Sequence, residues 1–91
     1  MKQVWKFELS QSAKSTYLRM PLGAVILSAA SPHRGSLMLW ALVDTEQPVE
    51  ETREFLAMFT GEDVPQEEGL SFIQTIFVEE FVYHVFENTQ S

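Results

Sequence analysis

The chain has 91 residues, no cysteine and a net charge of −7, and 45% of its residues are hydrophobic. This length predicts one domain over residues 1–91, and the apolar fraction is typical of a folded chain. The lack of cysteine excludes disulfides and thiolate chemistry. No apolar run is long enough to span a bilayer, and the alternating N-terminus lacks the apolar core of a signal peptide. We therefore expect a cytoplasmic protein with no membrane partner.

Charge is distributed unevenly along the chain. Residues 1–43 hold five Lys or Arg and one acid, whereas residues 44–91 hold twelve acids and a single base, Arg53. Because phosphate binding requires clustered cations, we expect no direct contact with nucleic acid. The acidic half would suit a partner with a basic surface. The alternative is that acids in loops maintain solubility and prevent edge pairing.

The N-terminal half predicts a series of strands. Residues 4–9 and 16–20 alternate apolar and polar side chains, which is typical of strands with one buried face. The core-facing positions of the first strand are Trp5, Phe7 and Leu9. The longest apolar run, 36–43, has no polar alternate, so we predict a central strand that is covered on both faces. It pairs in a hairpin with residues 24–29 and places Trp40 in the core.

The segment 48–61 is compatible with two structures. As a helix it begins at Pro48, ends at Gly61 and carries apolar residues at helical spacing. As a strand it alternates between a face with Arg53 and Phe55 and a face with acidic and apolar residues. The pattern by itself favours the helix by a small margin.

Two final strands are predicted over residues 72–78 and 81–87, which are rich in aromatic and β-branched side chains. Only Glu79 and Glu80 separate them. Two-residue hairpin turns require positive φ, which glutamate rarely adopts, so we expect a bulge or a longer loop. The predicted fold class is all-β with at most one short helix: about six mostly antiparallel strands in a small barrel or sandwich.

The sequence contains no catalytic motif. Its glycines are scattered between elements, so there is no phosphate-binding loop, and no nucleophile elbow is found. Two histidines, His33 and His84, are too few for a closed zinc site, and we expect His84 to be a core or interface residue. Adjacent carboxylates on a strand point to opposite faces, so the acidic doublets do not form an acid/base pair. We therefore predict no enzyme, no cofactor and no metal.

Several segments together resemble a small family of uncharacterised proteins encoded by bacteriophages and prophages. They are, in chain order, Val4-Trp-Lys-Phe-Glu8, Met20-Pro-Leu-Gly-Ala-Val-Ile-Leu-Ser28, Leu39-Trp-Ala-Leu-Val-Asp44, Thr52-Arg-Glu-Phe55 followed by Thr60-Gly61, and Val82-Tyr-His-Val-Phe-Glu87. The resemblance covers nearly the whole chain and implies a strand over residues 52–60 in place of the helix. Family members tend to have a glycine-containing turn where this chain has Glu79-Glu80. The resemblance implies a phage context and brings no catalytic residue.

Small acidic phage proteins without catalytic motifs often act by covering a host protein's surface, including as anti-CRISPR inhibitors. By this resemblance we expect a non-catalytic inhibitor that blocks a basic surface of a host defence or nucleic-acid-binding protein. The predicted contact is an acidic rim formed by Glu50, Glu51, Glu54, Glu62, Asp63, Glu67 and Glu68.

Two alternatives belong to other functional classes. An oligomeric sponge would hold an anionic nucleotide between subunits, against the basic residues Lys2, Lys6, Lys14, Arg19 and Arg34. A structural or assembly accessory protein of the phage would only self-associate. A homodimer is compatible with every alternative, because an edge strand and exposed aromatic residues favour self-pairing.

Overall fold

The computed structural model describes residues 1–33, 35–64 and 69–89. These residues form seven β-strands and no helix. The strands are β1 (Lys2–Glu8), β2 (Ser15–Pro21), β3 (Val25–Ala30), β4 (Met38–Asp44), β5 (Glu50–Phe59), β6 (Leu70–Val78) and β7 (Phe81–Asn88). The all-β prediction is confirmed, with seven strands in place of about six.

Two antiparallel sheets form a sandwich. One sheet has three strands in the order β1-β4-β3, and the other has four in the order β2-β5-β7-β6. The described strands therefore form two layers rather than a closed barrel. Apolar side chains from both sheets fill the space between the layers. They are Leu9, Met20, Ala24, Ala29, Leu37, Leu39, Ala41, Val43, Phe55, Ile76, Val78, Tyr83 and Val85.

The segment with two predicted structures forms β5, the longest strand, which pairs with β2 and β7. The helix favoured by the pattern alone is wrong, and the strand implied by the resemblance is confirmed. Phe55 is buried in the core, but Leu56 and Met58, on the opposite face, are buried as well. β5 therefore carries buried apolar residues on both faces without strict alternation, and that spacing also fits a helix.

The longest apolar run forms β4, the central strand of the three-stranded sheet, and its predicted hairpin with β3 is confirmed. The prediction that both of its faces are covered is wrong. One face is fully buried against the other sheet, but Met38, Trp40 and Leu42 on the outer face are only half-buried. No further layer of described residues covers this outer face of β4, so the expectation that Trp40 lies in the core is also wrong.

One of the two edge strands of this sheet, β1, is less buried than its pattern predicts. Leu9 lies in the core and Phe7 packs against it, whereas Trp5 is 38% exposed. The indole Nε1 of Trp5 donates a hydrogen bond to Gln3 Oε1 at 2.9 Å. Alternation therefore predicts which face a side chain occupies, but at a sheet edge it does not predict how deeply the side chain is buried.

Residues 60–69 connect β5 to β6, which run parallel to each other on either side of β7. Thr60 Oγ1, at the start of this connection, lies 2.7 Å from Nε2 of His84. Thr75 Oγ1 on β6 lies 3.0 Å from Nδ1 of the same ring. His84 therefore links three segments on the outer face of the four-stranded sheet, where it is half-buried and outside the core.

The β6–β7 hairpin has a two-residue turn. Val78 and Phe81 are directly paired, so only Glu79 and Glu80 connect the strands. The expected bulge or longer loop at this turn is wrong, because Glu79 adopts the left-handed conformation with φ of 56°. This conformation has an energetic cost for every residue with a Cβ atom.

Replacing Glu79 by glycine removes this conformational cost. We expect Glu79→Gly to raise the free energy of unfolding by about 0.5–1 kcal/mol, measured by urea denaturation. Glu80→Gly is the matched control, since Glu80 has no positive φ. There the added backbone freedom of glycine should lower stability. Equal effects of the two substitutions would contradict a local strain at Glu79.

Candidate functional site

A polar cleft lies at the end of the sandwich where β5 begins and where β2 leads into β3. Its volume is about 620 Å³, within the range of ligand-binding clefts. The residues that line it come mainly from β2, β5, β7 and the β2–β3 connection. They are Tyr17, Gly23, Ala24, Glu51, Thr52, Arg53, Glu54, Glu87, Asn88 and Thr89.

An ion pair between Arg53 of β5 and Glu87 of β7 contributes to the wall of this cleft. Nε and Nη2 of Arg53 donate to the two carboxylate oxygens of Glu87 at 2.5 and 2.8 Å. Nη1 donates to the carbonyl oxygen of Ala24 at 2.6 Å. The side chains of Arg53 and Glu87 are only 16% and 10% exposed. Hydrogen bonding to Glu87 raises the pKa of Arg53 above its usual value, so the guanidinium stays charged.

Two further carboxylates line the cleft. Glu51 accepts a hydrogen bond from the backbone N–H of Gly23 at 3.1 Å. Glu54 accepts hydrogen bonds from Asn88 Nδ2 at 2.9 Å and from the Tyr17 hydroxyl at 3.1 Å. The contact with Asn88 is the largest of several hydrogen bonds that lower the pKa of Glu54, which is therefore ionised at neutral pH.

The described residues lining the cleft thus include three carboxylates and one guanidinium, a net charge of −2. The guanidinium is already hydrogen-bonded to Glu87 and Ala24. The remaining charge makes the cleft suited to a cationic group, since a carboxylate forms its strongest hydrogen bonds with charged N–H donors.

Not all of the predicted acidic rim belongs to the cleft. Glu51 and Glu54 line it, but Glu50 is paired with Arg19 at 3.2 Å. Glu50 is the first residue of β5, and Glu62 comes just after its last residue, Phe59. A strand of ten residues is roughly 30 Å long, so the two carboxylates lie far apart. A hydrogen bond from the Phe59 backbone and a contact with Lys14 lower the pKa of Glu62.

The rest of the rim and the basic residues also do not converge. Asp63 is exposed beside Glu62, while Glu67 and Glu68 lie outside the described residues. Of the basic residues predicted for a nucleotide site, Lys14 and Arg19 are ion-paired with carboxylates and Arg34 lies outside the described residues. The remaining two, Lys2 and Lys6, lie on β1.

Sequence reasoning did not identify the pair of Arg53 and Glu87. The sequence did single out Arg53, because it is the only base in residues 44–91 and the strand pattern placed it on the face of Phe55. A cation on a buried face requires an anionic partner. Which of twelve acids supplies that partner depends on the pairing of β5 with β7, and spacing alone does not reveal this pairing.

The described part of the chain contains neither a cluster of metal-ligating side chains nor a helix that could span a membrane. No group of three or more His, Asp or Glu side chains there is arranged to hold a metal ion. No helix in the same residues is long and apolar enough to cross a membrane.

The fold and the cleft define a small two-layer β-sandwich with an acidic cleft at one end. Residues 1–91 match the model of a family described as "Domain of unknown function (DUF7352)", and the chain belongs to that family. Neither a curated protein nor a solved structure matches the chain. The family description states no activity, so the function is inferred from the chemistry of the site.

Proposed function

We propose that this protein is a non-catalytic binding protein whose acidic cleft receives a cationic side chain, Arg or Lys, from the basic surface of a partner protein. The excess of carboxylates over cations in the cleft supports this proposal. Because Arg53 is already held by Glu87 and Ala24, Glu51 and Glu54 are the acceptors available for an incoming cation.

The geometry of the cleft favours a planar cation. Glu54 is fixed by Asn88, so its carboxylate is oriented before a ligand arrives. The ring of Tyr17, which is 66% exposed, adjoins this carboxylate and provides an aromatic face for stacking by a guanidinium. The net charge of −7 would accelerate the encounter with a basic surface.

The identity of the partner is inferred from the resemblance and from charge. In a phage context, the partner would be a host defence or nucleic-acid-binding protein, and occupation of its basic surface would inhibit it. The outlying acids Glu50, Glu62 and Asp63 would then contribute to long-range attraction, while Glu51 and Glu54 make the direct contact.

The nucleotide sponge is supported less well. An anionic ligand would be repelled by the net charge of the cleft. The described basic residues that could bind a nucleotide elsewhere do not form one site. Two of them are ion-paired with Glu50 and Glu62, and the other two lie on β1.

Calorimetric titration with a short arginine-rich peptide tests the proposal. We expect saturable binding at low salt, and we expect Glu51→Gln/Glu54→Gln to weaken it by about tenfold or more, equivalent to at least about 1.4 kcal/mol. Glu79→Gln/Glu80→Gln, which removes two charges at the β6–β7 turn, is the matched control and should have a much smaller effect. If the two double variants weaken binding equally, net charge alone explains the affinity and the cleft is not the site.

A further inference from the structure

The outer face of the three-stranded sheet is apolar at its centre. Val4, Leu42 and Val25 are directly paired across β1, β4 and β3, so they form one row on this face. Val4 and Val25 are 55% and 54% exposed. Trp40 and Met38 continue the apolar surface along β4 and are half-buried. A contiguous apolar sheet face of this kind is typical of an interaction surface.

The charged side chains on this face balance one another. Among the described residues of these three strands, they are Lys2, Lys6 and Glu8 of β1 and Asp44 of β4. The N-terminal ammonium, 3.5 Å from Asp44, is itself paired with Glu46 at 2.7 Å. The face is therefore close to neutral in a chain whose net charge is −7.

We propose that two copies of the chain associate through this outer face. Net charge disfavours self-association over most of an acidic surface, but a neutral face with an apolar centre removes that penalty. A strongly basic or acidic partner would gain little there, because each charge that it attracts is accompanied by one that it repels. A second copy offers the same face with both signs of charge, which is the requirement for a two-fold symmetric interface.

The positions of the charges select an antiparallel arrangement. A two-fold axis in the plane of the interface and perpendicular to the strands places the start of one β1 over the end of the other. Lys2 of one copy then lies opposite Glu8 of the second copy, and this pair occurs twice. Both pairs lie at the ends of β1, and on the neighbouring strand β4 Leu42 of one copy lies opposite Trp40 of the second copy.

The dimer formed by this face is small. With strands roughly 4.8 Å apart and a rise of roughly 3.3 Å per residue, two strands of seven residues and one of six cover at most roughly 14 Å by 23 Å. A standard stable interface buries about 800 Å² on each partner, so we expect a weak dimer that forms only at high protein concentration.

Sedimentation velocity over a range from low to several hundred micromolar tests this dimer. We expect the wild-type chain to dimerise and Val4→Lys to raise the dissociation constant by about tenfold or more. Val64→Lys is the matched control, since Val64 is 46% exposed and lies outside the strands of this sheet. A wild-type chain that stays monomeric throughout, or equal effects of the two substitutions, would overturn the proposal.

Charge exchange tests the antiparallel arrangement independently of apolar packing. Lys2→Glu and Glu8→Lys should each weaken the homodimer, because each places like charges opposite one another. Mixed together, the two variants should form a heterodimer in which every such pair is again of opposite sign, observable by native mass spectrometry. If the mixture of the two variants contains no larger fraction of dimer than either variant alone, this arrangement is overturned. The cleft uses other residues, so either proposal can fail alone.

Discussion

Truncation of Phe55 to alanine is expected to lower the free energy of unfolding by about 3–5 kcal/mol. Phe55 is 1% exposed and lies in the core between the two sheets. Its removal loses the transfer free energy of a phenyl ring and leaves a cavity that close-packed neighbours fill only partly. For a domain of this size the loss is a large fraction of the total stability, so thermal and urea denaturation should both detect it.

Phe77→Ala is the matched control for this substitution. It removes the same ring from another strand of the same sheet, but Phe77 is 75% exposed. We expect a change in the free energy of unfolding within about 0.5 kcal/mol. If Phe55→Ala were as mild as Phe77→Ala, β5 would not contribute its Phe55 face to the core, and the helix would have to be reconsidered.

Arg53→Met is expected to lower stability by about 3 kcal/mol, because it leaves the carboxylate of Glu87 buried without its cation. Arg19→Met is the control on the neighbouring strand. Arg19 and Glu50 are 71% and 50% exposed, and a pair of this kind contributes at most about 1 kcal/mol. The free energy of unfolding at neutral pH distinguishes the two variants.

The double variant Arg53→Met/Glu87→Leu tests the coupling of the pair. Replacing both partners by apolar side chains removes the uncompensated charge, so we expect the double variant to be more stable than Arg53→Met alone. A loss equal to the sum of the two single losses would show that the residues act separately, in conflict with their two short hydrogen bonds.

Local sequence pattern predicted most strands because alternation and β-branched content are properties of each segment. It failed where the outcome depends on distant parts of the chain. Trp40 lies in an apolar run, yet its exposure is decided by the absence of a second layer over its face among the described residues. Glu79 occupies a left-handed turn because β6 and β7 pair in a register that leaves only two residues between them.

Local sequence predicted the candidate site even less completely than it predicted the strands. Charge counting located an acidic half of the chain, but Glu50 and Glu51, adjacent in sequence, lie on opposite faces of β5. Glu51 lies on the face of β5 that also carries Arg53 and Phe55, and Glu54 lies on the opposite face beside Asn88. The cleft reaches both carboxylates near the end of β7, which supplies Glu87. Two residues of the predicted acidic rim, Glu51 and Glu54, thus line the cleft, whereas the pair of Arg53 and Glu87 beside them required the structure.

The most direct test of the acidic cleft is a ¹⁵N–¹H NMR titration of the protein with the arginine-rich peptide. Binding in the cleft predicts that the largest amide shifts occur at Gly23, Glu51, Glu54 and Asn88, with the β6–β7 turn nearly unchanged. Shifts of similar size at Glu62, Asp63, Glu79 and Glu80 would instead show diffuse attraction to acidic loops. That result would contradict the cleft as the site of recognition.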